Sequence, residues 1–475
     1  MGLGLHGGGL ETARYLASHG ADITITDLRD EQALSPTIER LEAAGVKARY
    51  VLGRHDIDDF KNADMVIKNP GVRPDSPYLQ AAARIETDIS LFLAASPARL
   101  TAVTGSKGKS STASAIRWVL SQARVRGLLP GKAFLGGNIA VSPLAFLDVL
   151  TAEDDVTLEL SSWQLGDLGN GLKAEGPLTA DGSAVNGPSA RGRLLKPRVA
   201  VITAIMPDHL DRYGTMEDYV ADKRVIYRGQ DRGDLTVAAG DSWGQSFLAE
   251  TPGRSMVYAE TPLPDGAAGG WAEGRNGPGL ARTASGKTVE LVPAKLLVPG
   301  YHQKKNLLAA ALSLLDLGLA AEFIRESLGS FPGIEHRLEF FHEARGIRFY
   351  NDSAATIPEA AAAAVEAFDR PVALVTGGTD KNLNFGCLAA AASKAKAIIL
   401  LAGSGSDKLR LLLDKAGIPY RGPWDSVDEA LRSALSAASA GDAVVLSPGC
   451  ASFGMFLNEF DRGRKWKEAV LSHGY

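Results

Sequence analysis

Apolar residues along this chain change spacing again and again. Leu10 to His19 carries them three and four apart, as one face of a helix does. Ala21-Asp-Ile-Thr-Ile-Thr-Asp27 then alternates, which predicts a strand ending in an acid. Glu31 to Ala44 returns to the helical spacing, and Lys47 to Leu52 and Asp64 to Lys68 read as further strands. A second block repeats the pattern: strand Leu100–Thr104, loop Gly105–Ser111, helix Ala113–Arg124, then near-continuous apolar runs at Asp155–Leu160 and Arg198–Thr203 that predict buried strands. Gly169 to Arg193, rich in Gly and Ala, has little periodicity and reads as a surface insertion. Pro262 to Lys287 predicts hairpins, and Gly300 to Leu319 a long Leu/Ala-rich helix. A third block places strands at Ile347–Tyr350, Val372–Thr376, Ala397–Leu401 and Ala443–Leu446 with Ala-rich helices between them. Strand and helix alternating throughout predict doubly wound α/β layers, in three blocks in series.

Composition narrows the class. At 475 residues the chain is long enough for about three domains. With 45% hydrophobic and 22% charged residues it is not a mainly disordered polymer. Fifty-one basic against 55 acidic residues give a charge of −4, which argues against a nucleic-acid coat but allows a local basic pocket. Cys387 and Cys450 are too few for a disulfide framework or a zinc site, so a reducing, cytoplasmic setting is expected. No apolar run of ~18 residues predicts a membrane span, and the first residues lack a signal-peptide pattern.

The strongest chemical signal is Thr104-Gly-Ser-Lys-Gly-Lys-Ser-Ser111 between a strand and a helix. Amide groups of such a turn cradle phosphate oxygens, Lys109 can bridge terminal phosphates, and the Ser110 hydroxyl can hold Mg²⁺. Val103 stands where the full P-loop pattern has Gly, so a Gly/Ser turn with solvated lysines is the competing reading. Gly2-Leu-Gly-Leu-His-Gly7 with Asp27 closing the next strand has the spacing of a nucleotide crevice, against a plain structural turn. Only Met1 precedes that turn, which leads to the expectation that the sequence starts inside its first strand. Glu159 ends a strand beside the phosphate loop and is placed as a Mg²⁺ ligand. His209, in Pro207-Asp-His-Leu-Asp-Arg-Tyr213, can bind metal or orient a nucleophile. Lys223 follows on a helix, where a solvated lysine is the ordinary case.

Taken in order, these segments resemble the Mur ligases. The resemblance rests on the phosphate loop, Glu159-Leu-Ser-Ser-Trp-Gln164, Asp208-His-Leu-Asp-Arg-Tyr213, Gly300-Tyr-His-Gln-Lys-Lys-Asn306, Glu335-His-Arg-Leu-Glu339, Asn351-Asp-Ser353 and Leu446-Ser-Pro-Gly-Cys-Ala-Ser452, and covers essentially the whole chain. It implies an α/β protein of three domains: a Rossmann-like UDP-sugar domain at 1–97, a P-loop-type ATPase domain at 98–331 and a Rossmann-like domain at 332–475 that brings the amino acid. It implies an ATP-dependent ligase of peptidoglycan precursor synthesis. The substrates would be UDP-N-acetylmuramoyl-L-alanine and D-glutamate, with L-glutamate as the alternative.

Carried over by position, the resemblance makes Lys109, His209, Lys223 and Glu159 catalytic, and gives ATP to Gly105, Ser106, Lys107, Gly108, Lys109, Ser110, Ser111, Asn306, Arg337 and Asp352. It gives the UDP-sugar to Gly4, Leu5, His6, Asp27, Arg29 and Asn138, and the amino acid to Lys381, Ser452 and Thr356. Two Mg²⁺ ions would be shared among Ser110, Glu159, His209 and Lys223, the last as a carbamate. A monomer without nucleic-acid or membrane partners is expected. The chain departs from the family pattern at Ala204, Gln303, Ala354 and Glu459. Rival readings are a folylpolyglutamate-synthase-like ligase, an NAD-dependent oxidoreductase using the Gly2–Gly7 turn, and a non-catalytic nucleotide-sugar binder.

Overall fold

The computed structural model describes residues 1–5, 7–139, 141–169, 195–283 and 285–473. They form two compact units. One comprises Met1–Glu273, Pro278–Val292 and Lys305–Ser327; the other comprises Gly274–Gly277, Pro293–Lys304 and Leu328–Tyr475. No helix among the described residues is long and apolar enough to cross a membrane.

The first unit opens with two short parallel pairs, Thr24–Asp27 with Arg49–Leu52 and Val66–Ile67 with Ile85–Glu86. Main-chain bonds of Met1 and Gly2 join them. The Met1 ammonium donates to the Ile67 carbonyl at 2.9 Å, the Gly2 amide donates to Thr26 at 2.8 Å, and Met1 accepts from Asn69 at 3.1 Å. The helix Gly8–Ser18 begins at left-handed Gly7 and buries Leu10, Thr12 and Ala13. It packs closely on the turn before it, for a Cβ at Gly9 would lie 2.2 Å from the Leu3 carbonyl oxygen.

A nine-stranded sheet follows in the same unit. Its order is Thr288–Val292, Gly279–Arg282, Gly269–Ala272, Arg254–Ala259, Leu235–Ala239, Val199–Ile202, Arg99–Thr104, Asp155–Glu159, Ala133–Gly137. The strands from Gly269–Ala272 to Ala133–Gly137 pair in parallel, and the last two at the other edge antiparallel. The expected hairpin is Gly269–Ala272 with Gly279–Arg282. Asp155–Glu159 and Val199–Ile202 are buried at every position, as the unbroken apolar runs required. Arg99–Thr104 lies between these two strands, with the chain continuing to one side of it and later to the other. Such a reversal leaves a crevice at the carboxyl ends of the strands, where ligands bind in open α/β sheets. The helix Lys109–Val125 starts there and buries Ile116, Val119, Leu120 and Ala123 along one face. The Gly169–Arg193 insertion lies, except for Gly169, outside the described residues.

The second unit holds a six-stranded sheet ordered Glu339–Ala344, Ile347–Asn351, Ala443–Leu446, Val372–Thr376, Ala397–Leu401, Arg421–Trp424. Only the first pair is antiparallel. One core includes Leu374, Leu388, Leu400 and Val445, and a second includes Phe349, Val375, Leu431 and Trp466.

Candidate active site

The crevice of the first unit is built from glycines that nothing larger can replace. After Thr104 the chain turns at Gly105, φ 143°, where a Cβ would lie 1.9 Å from the Thr203 hydroxyl oxygen. Gly108, φ 97°, caps the next helix, and a Cβ there would lie 2.3 Å from Asn306 Oδ1. The loop therefore closes on the neighbouring strand end and on Asn306, with the amino end of a 17-residue helix directly behind it. Lys109 opens that helix, and its Nζ donates to the carbonyls of Gly105 at 3.0 Å and Ser106 at 3.2 Å. Ser106 is turned inward: its hydroxyl donates to the Met206 carbonyl at 2.9 Å, accepts the Met206 amide at 3.0 Å and lies 2.9 Å from the Tyr219 hydroxyl. It ties the loop to the segment carrying His209. Exposed Lys107 lies 3.6 Å from Asp208, while Ser110 and Ser111 occupy the helix's half-buried first turn.

Glu159 ends the adjacent strand, in register with Val103. Its Oε1 accepts from Asn138 Nδ2 at 3.2 Å. Its Oε2 is buried and has no hydrogen-bond partner among the described residues. A buried carboxylate oxygen with no donor is a seat for a cation. Asn138, assigned to the UDP-sugar by position, is thus brought to Glu159. His209 adopts a left-handed backbone, φ 53°, a region sparsely used by residues other than glycine, and its amide donates to Asp208 Oδ1 at 3.1 Å.

Lys223 closes the helix Met216–Lys223 and is 1% exposed. Its Nζ donates to the Gly105 carbonyl at 2.9 Å and lies 4.4 Å from the centre of the Tyr219 ring. Two lysines therefore converge on one carbonyl. Burial, reinforced by the charge of Lys109, pushes the Lys223 ammonium down to about 7.

Among the described residues no group of three or more His, Cys, Asp or Glu is placed to hold a metal ion. Mg²⁺ is commonly bound through one or two carboxylates together with substrate phosphates and water. The lone oxygen of Glu159 and the hydroxyl of Ser110 beside the phosphate loop fit it. ATP as co-substrate fits the same loop.

In the amino-terminal turn, Asp27 is buried and both its oxygens hold main chain: Gly4 N donates to one at 3.2 Å and Arg29 N to the other at 3.0 Å. Asp27 fixes the Gly4 turn, while Leu5 and Arg29 are exposed beside it. His6 lies outside the described residues.

The second unit carries the remaining candidates. Exposed Arg337 stands between left-handed His336, φ 63°, and Leu338, φ 44°. Asp352 is buried, accepting the Leu338 amide at 3.0 Å and the Ser447 hydroxyl at 2.6 Å, and burial pushes its carboxyl up to about 7. Exposed Lys381 and buried Ser452 lie on segments joined through Thr379 and Ala451, whose main chains exchange two bonds of 3.0 and 2.9 Å. Half-buried Thr356 precedes the helix Pro358–Ala367. Glu459 opens the helix Glu459–Ser472, where a carboxylate faces the positive end of the dipole.

Two residues of these surroundings were absent from the motif reading, Tyr219 and Arg462, and Trp163 stood in a motif without a role. Arg462 is 1% exposed. It donates to Ser353 Oγ at 3.0 Å, the Ser353 carbonyl at 2.8 Å and the Cys450 carbonyl at 3.1 Å, tying two motif segments together. A signal existed, since Arg462 shares a helix face with buried Trp466, Ala469 and Val470.

Three family descriptions match successive parts of the chain. Residues 1–90 match "Mur ligase MurD-like, N-terminal domain", 182–314 "Mur ligase middle domain" and 336–450 "Mur ligase, glutamate ligase domain". A UDP-N-acetylmuramoylalanine--D-glutamate ligase of Treponema pallidum is 41% identical over 99% of this chain and 96% of its own. Those of a Roseiflexus species and of Borreliella burgdorferi are 39% and 37% identical, covering 99% and 100% of this chain and 97% of each relative. Among solved structures, UDP-N-acetylmuramate-alanine ligase MurC of Thermotoga maritima aligns with a TM-score of 0.55 at 18% identity, over 99% of this chain and 98% of that one. The MurF ligase of the same organism, solved with ADP, aligns at 0.52 and 14%, over 96% of each chain. These last two share the fold, a three-domain arrangement of mixed α/β content. With relatives of this identity along its whole length, the chain belongs to the Mur ligase family.

Proposed function

We propose that this chain is an ATP-dependent, ADP-forming ligase that joins D-glutamate to the carboxylate of UDP-N-acetylmuramoyl-L-alanine, in the cytoplasm, during peptidoglycan precursor synthesis. The observation that carries this is one cluster: the amino end of the helix Lys109–Val125, the convergent amines of Lys109 and Lys223, and the unpartnered Glu159 oxygen. The names borne by the full-length relatives support the substrates. An oxidoreductase reading leaves that cluster without a role.

A carboxylate is a poor electrophile. Transfer of the γ-phosphoryl group of ATP to one of its oxygens gives an acyl phosphate and ADP. The glutamate amine then attacks the acyl carbon, loses a proton, and the tetrahedral adduct expels phosphate as the amide forms. Lys109 and the loop amides would hold the β- and γ-phosphates, and the Lys109 charge would offset the equatorial oxygens in transfer. Glu159 and Ser110 would hold Mg²⁺, which would supply further neutralisation of that charge. His209 borders the acyl centre. Lys223, its ammonium near 7, is partly a free amine at neutral pH, and attack on CO₂ with loss of a proton converts it to a carbamate. That change would replace a cation beside Lys109 with an anion that could help hold Mg²⁺.

The domain roles proposed are UDP-sugar at 1–97, ATP at 98–331 and glutamate at 332–475, in Rossmann-like, P-loop-type and Rossmann-like folds. Arg337, Asn306 and Asp352 would serve ATP; Lys381, Ser452 and Thr356 glutamate; Gly4, Leu5, His6, Asp27, Arg29 and Asn138 the UDP-sugar. All these residues come from one chain, so a monomer suffices, and sedimentation velocity tests it. The function is tested by phosphate release from ATP with the UDP precursor and D- or L-glutamate in separate reactions, with product masses read. Release with D-glutamate and a product heavier by one glutamyl residue is expected. Turnover with L-glutamate alone would move the enzyme to another precursor step, and none with either would overturn the reading.

A further inference from the structure

The two short parallel pairs of the first unit leave a slot between them. A cavity of about 760 Å³ lies there, lined by residues 20–26 on one side and 62–68 on the other. Ala13 and Leu16 of the helix Gly8–Ser18 and Phe60 of the helix Ile57–Asn62 complete its apolar lining. Both walls are edges of strands already paired on their far sides. Arg49 donates to the Ile23 carbonyl at 2.9 Å, and Val66 and Lys68 donate to Arg84 and Glu86 at 2.9 and 2.8 Å. Alternate residues of a parallel ladder face opposite neighbours. The main-chain groups of Thr24, Thr26, Met65 and Ile67 therefore face the slot. Its near end already holds two residues with ladder bonds to both walls. The Gly2 amide donates to Thr26 at 2.8 Å, the Met1 ammonium donates to Ile67 at 2.9 Å, and Met1 accepts from Asn69 at 3.1 Å. Burial pushes that ammonium down to about 6. An amide nitrogen in its place would carry no charge to desolvate.

We propose that the slot is a strand-binding site, which takes an extended apolar peptide segment that runs parallel to both edges and passes directly into Met1. The existing bonds set its register. The residue directly before Met1 donates to the Thr24 carbonyl and accepts the Thr26 amide. The one before that donates to Met65 and accepts from Ile67. Two more reach Asp22 and Ala63, close to where the lining ends. About four residues, spanning ~13 Å, thus fill the slot. Main-chain groups repeating every second residue along both walls select a peptide over a small apolar molecule. A strand covered on both faces is apolar along its length. Exposed Asp22 and Asp64 stand at the far mouth, where a lysine before the four residues suits their charge. Filling the slot joins the two pairs into one parallel sheet and leaves no open strand edge between them. The proposal stands independently of the ligase reading.

The experiment compares the full chain with three versions extended before Met1. One carries Met-Lys-Val-Val-Val-Val, one Met-Lys-Gly-Ser-Gly-Ser, and one the valine segment with proline in the place directly before Met1. Hydrogen exchange and calorimetry are read on all four. The valine extension should slow exchange at the Thr24, Thr26, Met65 and Ile67 amides at least about tenfold against the glycine–serine control. It should raise the unfolding transition of the first unit by at least about 4 °C and leave that of the second unit unchanged. Proline removes the amide aimed at Thr24, and a central strand does not tolerate it, so most of the gain should be lost. Equal exchange and equal transitions in the valine and glycine–serine versions would overturn the proposal. So would a gain that survives proline, because it would not come from strand pairing. The free peptide acetyl-Lys-Val-Val-Val-Val-amide is added to the unextended chain as a further arm. Protection by it as strong as that from the fused segment would make the slot a docking site for separate peptides and overturn the occupant proposed.

Discussion

Lys223 brings an amine to a nearly dry position beside Lys109, and only one carbonyl separates the two charges. Its removal should reduce turnover at least about 100-fold, and added formate or acetate should restore part of it by standing in for a carbamate. Full activity in Lys223→Ala, or loss without rescue, would deny the carbamate. Glu159→Gln should keep a contact to Asn138 yet lose the anionic seat. Turnover at least ~100-fold lower, with a raised requirement for Mg²⁺, is expected, and wild-type Mg²⁺ dependence would remove Glu159 from the metal. Asp352 makes a statement about stability instead. Its usual value is 3.8 and burial raises it to about 7, so the folded protein holds this proton more tightly than the unfolded chain. The contribution is present at acid pH and is lost as pH rises through about 7. Asp352→Asn keeps the shape without the charge, so the difference between the two proteins in denaturant should shift by on the order of 2–4 kcal/mol from about pH 4 to about pH 7 in favour of the variant. Parallel curves would show that Asp352 is ionised throughout.

At the scale of elements, the phosphate loop shows what pattern reading catches and what it misses. The strand before the loop and the loop's glycines were legible, but the helix was expected from Ala113 and begins at Lys109. Serines and lysines read as turn residues, and it is the left-handed Gly108, wedged against Asn306, that starts the helix four residues earlier. Gly108→Ala should therefore cost both a strained φ and a displaced Asn306. A rise of at least about tenfold in KM for ATP and about 1–3 kcal/mol of stability are expected. An unaltered KM would mean that the loop binds no phosphate. Arg421–Trp424 was missed for a different reason. It contains Pro423 and is an edge strand, where a missing donor is tolerated. Ala133–Gly137, with two glycines and an edge position, hides in the same way.

For the whole molecule, the separate cores of the two units predict that ligands stabilise them unequally. The phosphate loop belongs to the first unit, so Mg²⁺ with a non-hydrolysable ATP analogue at about 100 times its Kd should add about 2.7 kcal/mol to the transition of that unit in calorimetry. Lys109→Ala should abolish the shift while leaving the unliganded trace unchanged. A shift that survives the substitution would put the nucleotide elsewhere.

Local sequence determined the alternation of strand and helix and the residue types able to handle phosphate, because each depends on neighbours a few bonds away. Seven short motifs in one order carried the family. Which of those residues meet was decided by tertiary structure alone. Lys223 reaches the Gly105 carbonyl across 118 residues of chain, and Asn138 reaches Glu159 across 21. Asp27 and Ser106 read as ligand contacts, and only the fold shows that both side chains also hold main chain. Burial also decided protonation: desolvation is the largest cause at both Lys223 and Asp352, and at Lys223 it outweighs the adjacent Asp222 carboxylate. Contact and desolvation are properties of packing, and spacing along the chain does not encode them.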